Sequence, residues 1–189
     1  FRVEDSIAFK HKFIQIPVVD HWILFIKDML LSKFPNLVFK KHNFRFINTI
    51  DVDNAYAYLS KGFFRTLGAV FIDSIKFNFS NIVNRIKVLF FQKKDPYNNY
   101  NALLQIHSKY KLETSFFFLL ANYGFYDRNI SHLNPKFRKQ IKSISAHCDV
   151  GLHTSFNSMK YPKNILIEKD RLYSILNKDT IISRQHFLH

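Results

Sequence analysis

The sequence is poor in cysteine, in acidic residues and in long apolar runs. Its one cysteine, Cys148, can form neither an intrachain disulfide nor a cysteine metal cluster. The longest apolar run, SFFFLLA at 115–121, is far too short to cross a bilayer, so we expect no transmembrane segment. Because the chain begins with Phe1 rather than Met, we expect that the true N-terminus is missing. A signal peptide is therefore neither visible nor excluded, and a cytoplasmic location is favoured.

The shortage of acids gives the chain a formal charge of +14, with 28 lysines and arginines against 14 aspartates and glutamates. Such a charge is common in nucleic-acid-binding proteins. The basic residues are scattered, however, and the densest clusters, FKKH at 39–42 and FQKKD at 91–95, are short. The aromatic–basic motif of an RNA-binding sheet and the helix-turn-helix signature are both missing. A codon usage rich in Lys, Asn, Ile, Phe and Tyr accounts for the charge, so we expect no nucleic-acid partner.

Apolar residues make up 47% of the chain and aromatic residues 17%, which excludes a disordered chain. A length of 189 residues suits one domain, or a large part of one, with a real hydrophobic core. Apolar residues at helical spacing predict an amphipathic helix at 18–34. We assign residues 1–43 to an N-terminal helical or linker region and residues 44–189 to the main domain.

Helices and strands alternate along the main domain. The predicted elements are a buried strand at 44–50, a helical stretch from Tyr56 to Lys94 broken by Gly62 and Gly68, a helix capped by Asp95 with Pro96 at its first position, a strand at 113–121, a helix at 134–148, a strand at 149–154, a helix at 164–179 and a strand at 180–187. Alternation of helices with nearly continuous apolar strands is typical of a parallel sheet covered by helices. We therefore predict an α/β fold.

Polar side chains collect where three of these strands end. They are Asp51 and Asp53 after the first strand, His153, Thr154 and Asn157 after the third, and Arg184 and His186 after the fourth. The carboxyl ends of parallel strands share one edge, so we expect these groups in a single cleft. Aspartate and histidine are usual ligands of divalent metals. Taken singly, an Asp-x-Asp pair can instead cap a helix, and a lone histidine can be a hydrogen-bonded core residue.

Three short motifs, TIDVD at 49–53, HTSFN at 153–157 and RQH at 184–186, resemble in order the first three motifs of the polysaccharide deacetylases of carbohydrate esterase family four. The longer segments DVDNAYAYLSKG, DPYNNYNALLQIHSKY, FFFLLANYGFYDRNIS and SRQHF resemble a bacterial branch of that family with a long first strand-to-helix connection. The resemblance covers roughly residues 44–189. It implies a (β/α)7-type distorted barrel and a metal-dependent hydrolase that removes N-acetyl or O-acetyl groups from a polysaccharide or amino sugar.

Carried over to this chain, the resemblance implies that Asp51 is the catalytic base, that Arg184 holds it in position, and that Asp53 and His153 bind a divalent metal, zinc being the first choice. The chain departs from the family at Asn157, which stands where the second metal-binding histidine belongs. Because His186 lies two residues after Arg184 and so points the same way on a strand, we predict that it replaces this histidine; the alternative is a loop histidine with no metal role. Asn157 and Thr154 would then hydrogen-bond around the ligands.

The sequence stops at His189, just after the third motif. The later family motifs, among them the Leu-x-x-His that carries the general acid, are absent. We therefore expect only the N-terminal part of a barrel, with weak activity towards an acetylated polysaccharide or oligosaccharide, since each acid–base partner contributes about 10²–10⁴-fold. Two alternatives stay open: a non-catalytic carbohydrate-binding member of the family and a basic nucleic-acid-binding protein. Metal content separates the first from the enzyme, and a salt-dependent affinity for DNA would identify the second.

Overall fold

The computed structural model describes residues 2–40 and 43–188, and the chain divides into two compact units, Phe1–Phe44 and Arg45–His189. In the first unit, a 3-10 turn at Val3–Asp5 precedes helix α1 (Ile7–Lys10) and helix α2 (Val18–Lys33). The predicted helix at 18–34 is thus confirmed. All residues of α2 are described and none of them is buried, so most of its apolar side chains are exposed, Val18 and Leu31 being half-buried.

The second unit contains four strands and five helices within its described residues. In chain order they are β1 (Ile47–Val52), α3 (Phe63–Ile75), α4 (Phe79–Phe90), α5 (Tyr100–Lys109), β2 (Glu113–Leu119), α6 (Pro135–Ser145), β3 (Asp149–Thr154), α7 (Lys163–Leu176) and β4 (Ser183–Gln185), with 3-10 turns at Phe156–Ser158 and His186–Leu188. Among residues 2–40 and 43–188, no helix is long and apolar enough to cross a membrane.

The four strands form one parallel sheet in the order β1-β2-β3-β4, which curls into a half-barrel. The strands are neighbours in the order of the chain, and helices connect each one to the next. In the register of the sheet, Leu119 pairs with His153 and His153 pairs with Arg184. The predicted α/β fold with a parallel sheet is therefore confirmed, and the register places residues of β3 and β4 side by side at the carboxyl edge.

The core lies between the sheet and the helices α5, α6 and α7. Its largest fully buried side chains include Phe116 and Phe118 from β2, Phe137 from α6 and Leu172 from α7. Strand β2 is buried from Thr114 onwards because it lies between β1 and β3, which explains its unbroken apolar run. Burying side chains of this size stabilises the fold by about 1.5–3 kcal/mol each.

The prediction of a buried first strand is wrong. Within the described part of the chain, β1 pairs only with β2, so it is an edge strand, and of its residues only Val52 is buried. The strand also begins and ends later than predicted, because the ladder with β2 continues through Asp51 and Val52. Main-chain pairing does not depend on side-chain polarity, so the acidic residue does not end the strand.

The helical stretch after β1 also differs from the prediction. Gly62 precedes α3 with a φ of 78°, a conformation that glycine adopts easily, but Gly68 lies inside α3 and does not interrupt it. The break comes instead between α3 and α4, where Phe77 has a φ of 55°. The helix after Asp95 begins only at Tyr100, so the predicted cap by Asp95 and Pro96 is wrong.

Candidate metal centre

Three side chains from separate strand ends converge at the carboxyl edge of the sheet. Asp53 follows β1, His153 lies near the end of β3, and His186 follows β4. Nε2 of His153 lies 3.1 Å from Oδ1 of Asp53, and Nδ1 of His186 lies 3.4 Å from the same oxygen. The two histidine nitrogens are 3.1 Å apart. One ligand atom from each residue thus falls within 4.8 Å of the others, an arrangement that could hold a metal ion.

The orientation of His153 is fixed by the neighbouring strand. Its Nδ1 lies 2.9 Å from the carbonyl oxygen of Arg184, its partner in the register of β3 and β4. A carbonyl oxygen can only accept, so Nδ1 carries the proton and donates it. Nε2 is thereby left facing Asp53 and His186. A backbone hydrogen bond of this kind is the usual way in which a metal-binding histidine is held in the required tautomer.

The pKa values of Asp53 and His153 move in opposite directions. The hydrogen bond to His153 lowers the pKa of the Asp53 carboxyl, against the opposing effect of partial burial, and the nearby His186 adds to the lowering. Burial would by itself lower the pKa of His153, but its hydrogen bonds to Asp53 and to the Arg184 carbonyl raise it. Without a metal, the two residues therefore favour an ion pair. A metal ion at this position would take the place of the proton between them.

A second pair of side chains lies beside this group. Nε of Arg184 is 3.5 Å from Oδ2 of Asp51, and the side chains of both residues are one-third exposed, at 33% each. Nη1 of Arg184 also donates to Oγ1 of Thr49 at 2.7 Å. Since β1 and β4 lie at opposite ends of the sheet, this side chain reaches across the concave face of the half-barrel. Arg184 therefore helps to hold Asp51 beside Asp53, in the cavity that both aspartates line.

The two remaining predicted residues have different surroundings. Oγ1 of Thr154 donates to Oε1 of Gln185 at 2.7 Å and lies 3.5 Å from the Arg184 carbonyl oxygen, which also accepts from His153. Asn157 is exposed, and its side chain makes no hydrogen bond to any described residue. Thr154 thus lies beside the Arg184 carbonyl that orients His153. No hydrogen bond among the described residues connects the Asn157 side chain to Asp53, His153 or His186.

Two buried carboxylates hold the turn that follows His153, and the sequence did not reveal either. Asp127 is fully buried and accepts from the N–H of Phe156 at 2.8 Å and, more weakly, from that of Asn157 at 3.4 Å. Glu168 is 2% exposed and accepts from the N–H of Ser155 at 3.0 Å. Burial raises the pKa of Glu168, the charge of Asp127 raises it further, and the hydrogen bonds to Ser155 oppose both effects. Their partners are backbone groups, which leave no sequence pattern.

An aromatic cluster joins the loops that follow β2, β3 and β4. The rings of Tyr126 and Phe156 are 4.1 Å apart, and Phe187 meets both rings edge-on at 6.0 and 5.6 Å. Phe187 is also next to His186, with ring centroids 4.3 Å apart. Aromatic pairs of this geometry contribute about 0.5–1.5 kcal/mol each beyond the area that they bury. The cluster therefore helps to fix the loop that carries His186.

A cavity of about 600 Å³ opens beside the two aspartates. Among its lining residues are Asp51, Asp53, Asn54, Tyr97, Asn99 and Tyr100. Tyr97 is 57% exposed, whereas Tyr100 is buried and its hydroxyl donates to the carbonyl of Ala55. The volume is in the range of small-molecule sites in proteins. One wall of the cavity therefore consists of acidic, amide and aromatic groups that adjoin the metal-binding group.

Comparison with known proteins gives one match. Residues 1–35 match the model of a family of unknown function (DUF7033). This match lies in the first unit and ends before β1, so it does not reach the metal-binding group. No curated protein and no solved structure matches the chain.

Proposed function

We propose that the protein is a metal-dependent hydrolase that removes N-acetyl or O-acetyl groups from a polysaccharide or an amino sugar. The observation that carries the proposal is the placement of the Asp53–His153–His186 group beside the ion-paired Asp51 and Arg184. The order of the three motifs along the chain supports it. The sequential order of the four parallel strands supports a (β/α)7-type distorted barrel as the full architecture.

The donor set fits a zinc ion. Catalytic zinc sites commonly have three protein ligands and an open fourth position. With zinc–ligand distances of about 2.0–2.2 Å, the edges of a tetrahedral site are roughly 3.3–3.6 Å long. The three separations between the ligand atoms of Asp53, His153 and His186 are 3.1, 3.4 and 3.1 Å, so small movements suffice. The Asp53 side chain is 55% exposed, which leaves one side of the group open to water and substrate.

Each residue has a role that follows from its position. A bound zinc ion would supply a Lewis acid that lowers the pKa of water and polarises the acetyl carbonyl. Asp51 lies in the same cavity as Asp53 and accepts a proton from the attacking water. Arg184 orients the Asp51 carboxylate through its guanidinium, while its backbone carbonyl orients the His153 ring. One residue thus positions both the base and a ligand.

The cavity next to the aspartates suits a sugar. The exposed ring of Tyr97 offers a flat apolar surface for a pyranose ring, and the side chains of Asn54 and Asn99 offer amide donors and acceptors for hydroxyl and acetamido groups. A small number of polar groups on an otherwise apolar wall is the common pattern of ligand pockets. The substrate class that we propose is therefore an acetylated oligosaccharide or polysaccharide.

Zinc titration and acetate release together test the proposal. We expect the chain to bind one zinc ion, and we expect His186→Ala to weaken that binding by about 100-fold or more, since even residues that only support ligands contribute about 10–100-fold. The matched control is Asn157→Ala, which should leave the affinity unchanged. With zinc bound, acetylated chitooligosaccharides should release acetate slowly, at the weak rate expected without the general acid of the later family motifs, and Asp51→Asn should stop this release without loss of zinc.

Two outcomes would contradict the proposal. Equal zinc affinity in the wild type and His186→Ala would remove this residue from the metal site. Zinc binding without any metal-dependent release of acetate from N-acetylated or O-acetylated sugars would show a metal-binding protein of another function.

A further inference from the structure

A second cavity lies between the loops that leave the carboxyl ends of β1 and β2. It has a volume of about 480 Å³, and its lining includes Lys61, Gly62, Arg65, Tyr123, Asn129 and His132. Three of these side chains are basic, and none of the described lining residues is acidic. We call this cavity the basic pocket. It shares no lining residue with the cavity beside Asp51 and Asp53.

The wall of the basic pocket is fixed in place by Arg65. Its Nη1 and Nη2 donate to the carbonyls of Asn129 and Arg128 at 3.1 and 3.0 Å. Its guanidinium also lies over the ring of Tyr123, 4.2 Å from the ring centroid. Arg65 belongs to α3 and its partners belong to the loop after β2, so the two sides of the pocket are tied together. A rigid wall reduces the entropic cost of binding a ligand.

Among the described residues, no direct ion pair neutralises the positive charge of the pocket. No ion pair of Lys61 or Arg65 occurs within the described residues. Burial lowers the pKa of Lys61, and Arg65 and Arg85 lower it further, while Asp95 opposes them. Burial likewise lowers the pKa of His132, with Arg171 and Arg138 adding to the effect. Both residues therefore sit in a positive potential that a bound anion would relieve.

Two further features favour an anionic ligand with a polar substituent. Helix α3 starts directly after Gly62, and no described side chain caps its N-terminus, so its first N–H groups add to the positive field. Asn129 is 2% exposed and its amide nitrogen donates to the carbonyls of Ala121 and Ile130. Its Oδ1 has no hydrogen-bond partner among the described residues. The more accessible side chains of Ser60, Asn122 and Ser131 in the lining favour a ligand that carries hydroxyl groups beside its anionic group.

We propose that the basic pocket binds a small hydroxylated anion, a sugar acid or a sugar phosphate, through Lys61, Arg65 and His132. The site is separate from the metal-binding group and does not depend on the proposed hydrolase activity. Its ligand chemistry is an anionic group, carboxylate or phosphate, next to a hydroxyl group.

The test is a calorimetric titration of the metal-free chain at constant ionic strength with three probes. Glucose 6-phosphate and glucuronate carry the two candidate anionic groups, and glucose is the neutral control. We expect at least one anionic sugar to bind and glucose not to bind, and the tighter of the two anions identifies the group. Lys61→Met should weaken the binding by about tenfold or more, the usual effect of losing a charged hydrogen bond. Lys142→Met removes an exposed lysine from α6 and should have no effect.

A second readout guards against a loss of folding. Nuclear magnetic resonance should show that the pKa of His132 rises when the anion binds, because the anion favours the imidazolium. The proposal is overturned if neither anionic sugar binds at about 10 mM, which corresponds to a free energy too small for a specific site. It is also overturned if Lys61→Met and Lys142→Met weaken binding equally, or if the pKa of His132 does not move on saturation.

Discussion

Replacing Asp95 with asparagine should destabilise the second unit strongly, although Asp95 is not one of the predicted site residues. Its carboxylate is 1% exposed and accepts four backbone N–H groups. Oδ1 accepts from Ala57 at 2.8 Å and from Tyr97 at 3.0 Å. Oδ2 accepts from Tyr58 at 2.8 Å and from Leu59 at 3.1 Å. These bonds hold the loop that leaves the carboxyl end of β1, just after Asp53.

The expected loss of stability follows from the fact that each oxygen of the Asp95 carboxylate accepts two N–H groups. Each carboxylate oxygen serves two donors, so an asparagine must point its NH₂ group at two N–H groups in either orientation of the amide. At least two hydrogen bonds to a charged acceptor are lost, at about 1.5–3 kcal/mol each, which gives about 3–6 kcal/mol. A domain of ordinary stability unfolds with about 5–15 kcal/mol. Asp95→Asn should therefore remove a large part of the stability of the unit.

Urea unfolding followed by far-ultraviolet circular dichroism measures the effect. Fluorescence is less suitable, because the single tryptophan, Trp22, lies in the first unit. The matched control is Asp170→Asn, an exposed position in α7, where the change should stay within about 0.5 kcal/mol. A loss of less than about 1 kcal/mol for Asp95→Asn would show that water or a shifted loop satisfies these donors. The account of how the loop is held would then be refuted.

Three further changes test other parts of the structure. Burial raises the pKa of Glu168 in the folded protein above its value in the unfolded chain. The contribution of Glu168 to stability is therefore greatest below the unfolded-state pKa and is lost as the pH rises through the folded-state pKa. Glu168→Gln should thus raise the free energy of unfolding more at about pH 7.5 than at about pH 4.5, and equal changes in urea titrations would contradict this. Gly151→Ala should lower the free energy of unfolding by about 1–3 kcal/mol, because an added Cβ would lie 2.7 Å from the carbonyl oxygen of Ile182. Thermal melting measures the change, and an unchanged midpoint would contradict this close packing. Arg184→Lys should lower acetate release, because a lysine cannot reproduce the planar contact of the guanidinium with Asp51. It should keep zinc affinity within about threefold, because the backbone carbonyl of residue 184 still supports His153. Equal losses of acetate release and zinc affinity would argue against separate roles.

The sequence predicted the clustering of the polar side chains more accurately than the bounds and burial of the strands and helices. One rule was enough to predict the cluster: parallel strands end at one edge of a sheet, so Asp53, His153 and His186 had to lie near each other if the sheet was parallel. The register then brought His153 next to Arg184, as the structure shows. The proximity of His186 followed from its spacing after Arg184. Such inferences depend on topology, which the alternation of helices and strands indicates clearly.

Each error about the elements has an identifiable physical cause. Burial of β1 was inferred from its apolar residues, yet burial depends on having a strand on each side, and β1 lies at the edge of the described sheet. A break was inferred at Gly68, yet glycine costs a helix interior only about 1 kcal/mol, which the rest of α3 tolerates. The cap by Asp95 was inferred from the Asp-Pro pair, yet three distant N–H groups and that of nearby Tyr97 bind the carboxylate more strongly than one helix end could. The first and third errors concern tertiary structure, which a local pattern does not encode, whereas the second overrated a small local cost.

The buried acids show why part of the site's support could not be found from the sequence. Asp95 holds the loop after β1, and Asp127 and Glu168 hold the turn after β3, so the segments that follow the candidate ligands Asp53 and His153 rest on buried carboxylates. With only 14 acids in the chain, three buried ones at the carboxyl edge are a notable share. Their partners are backbone N–H groups, which nearly every residue possesses, so no pattern of side chains marks them. The candidate ligands can be predicted from residue type and strand order, whereas the groups that position them become visible only when the loops are folded against them.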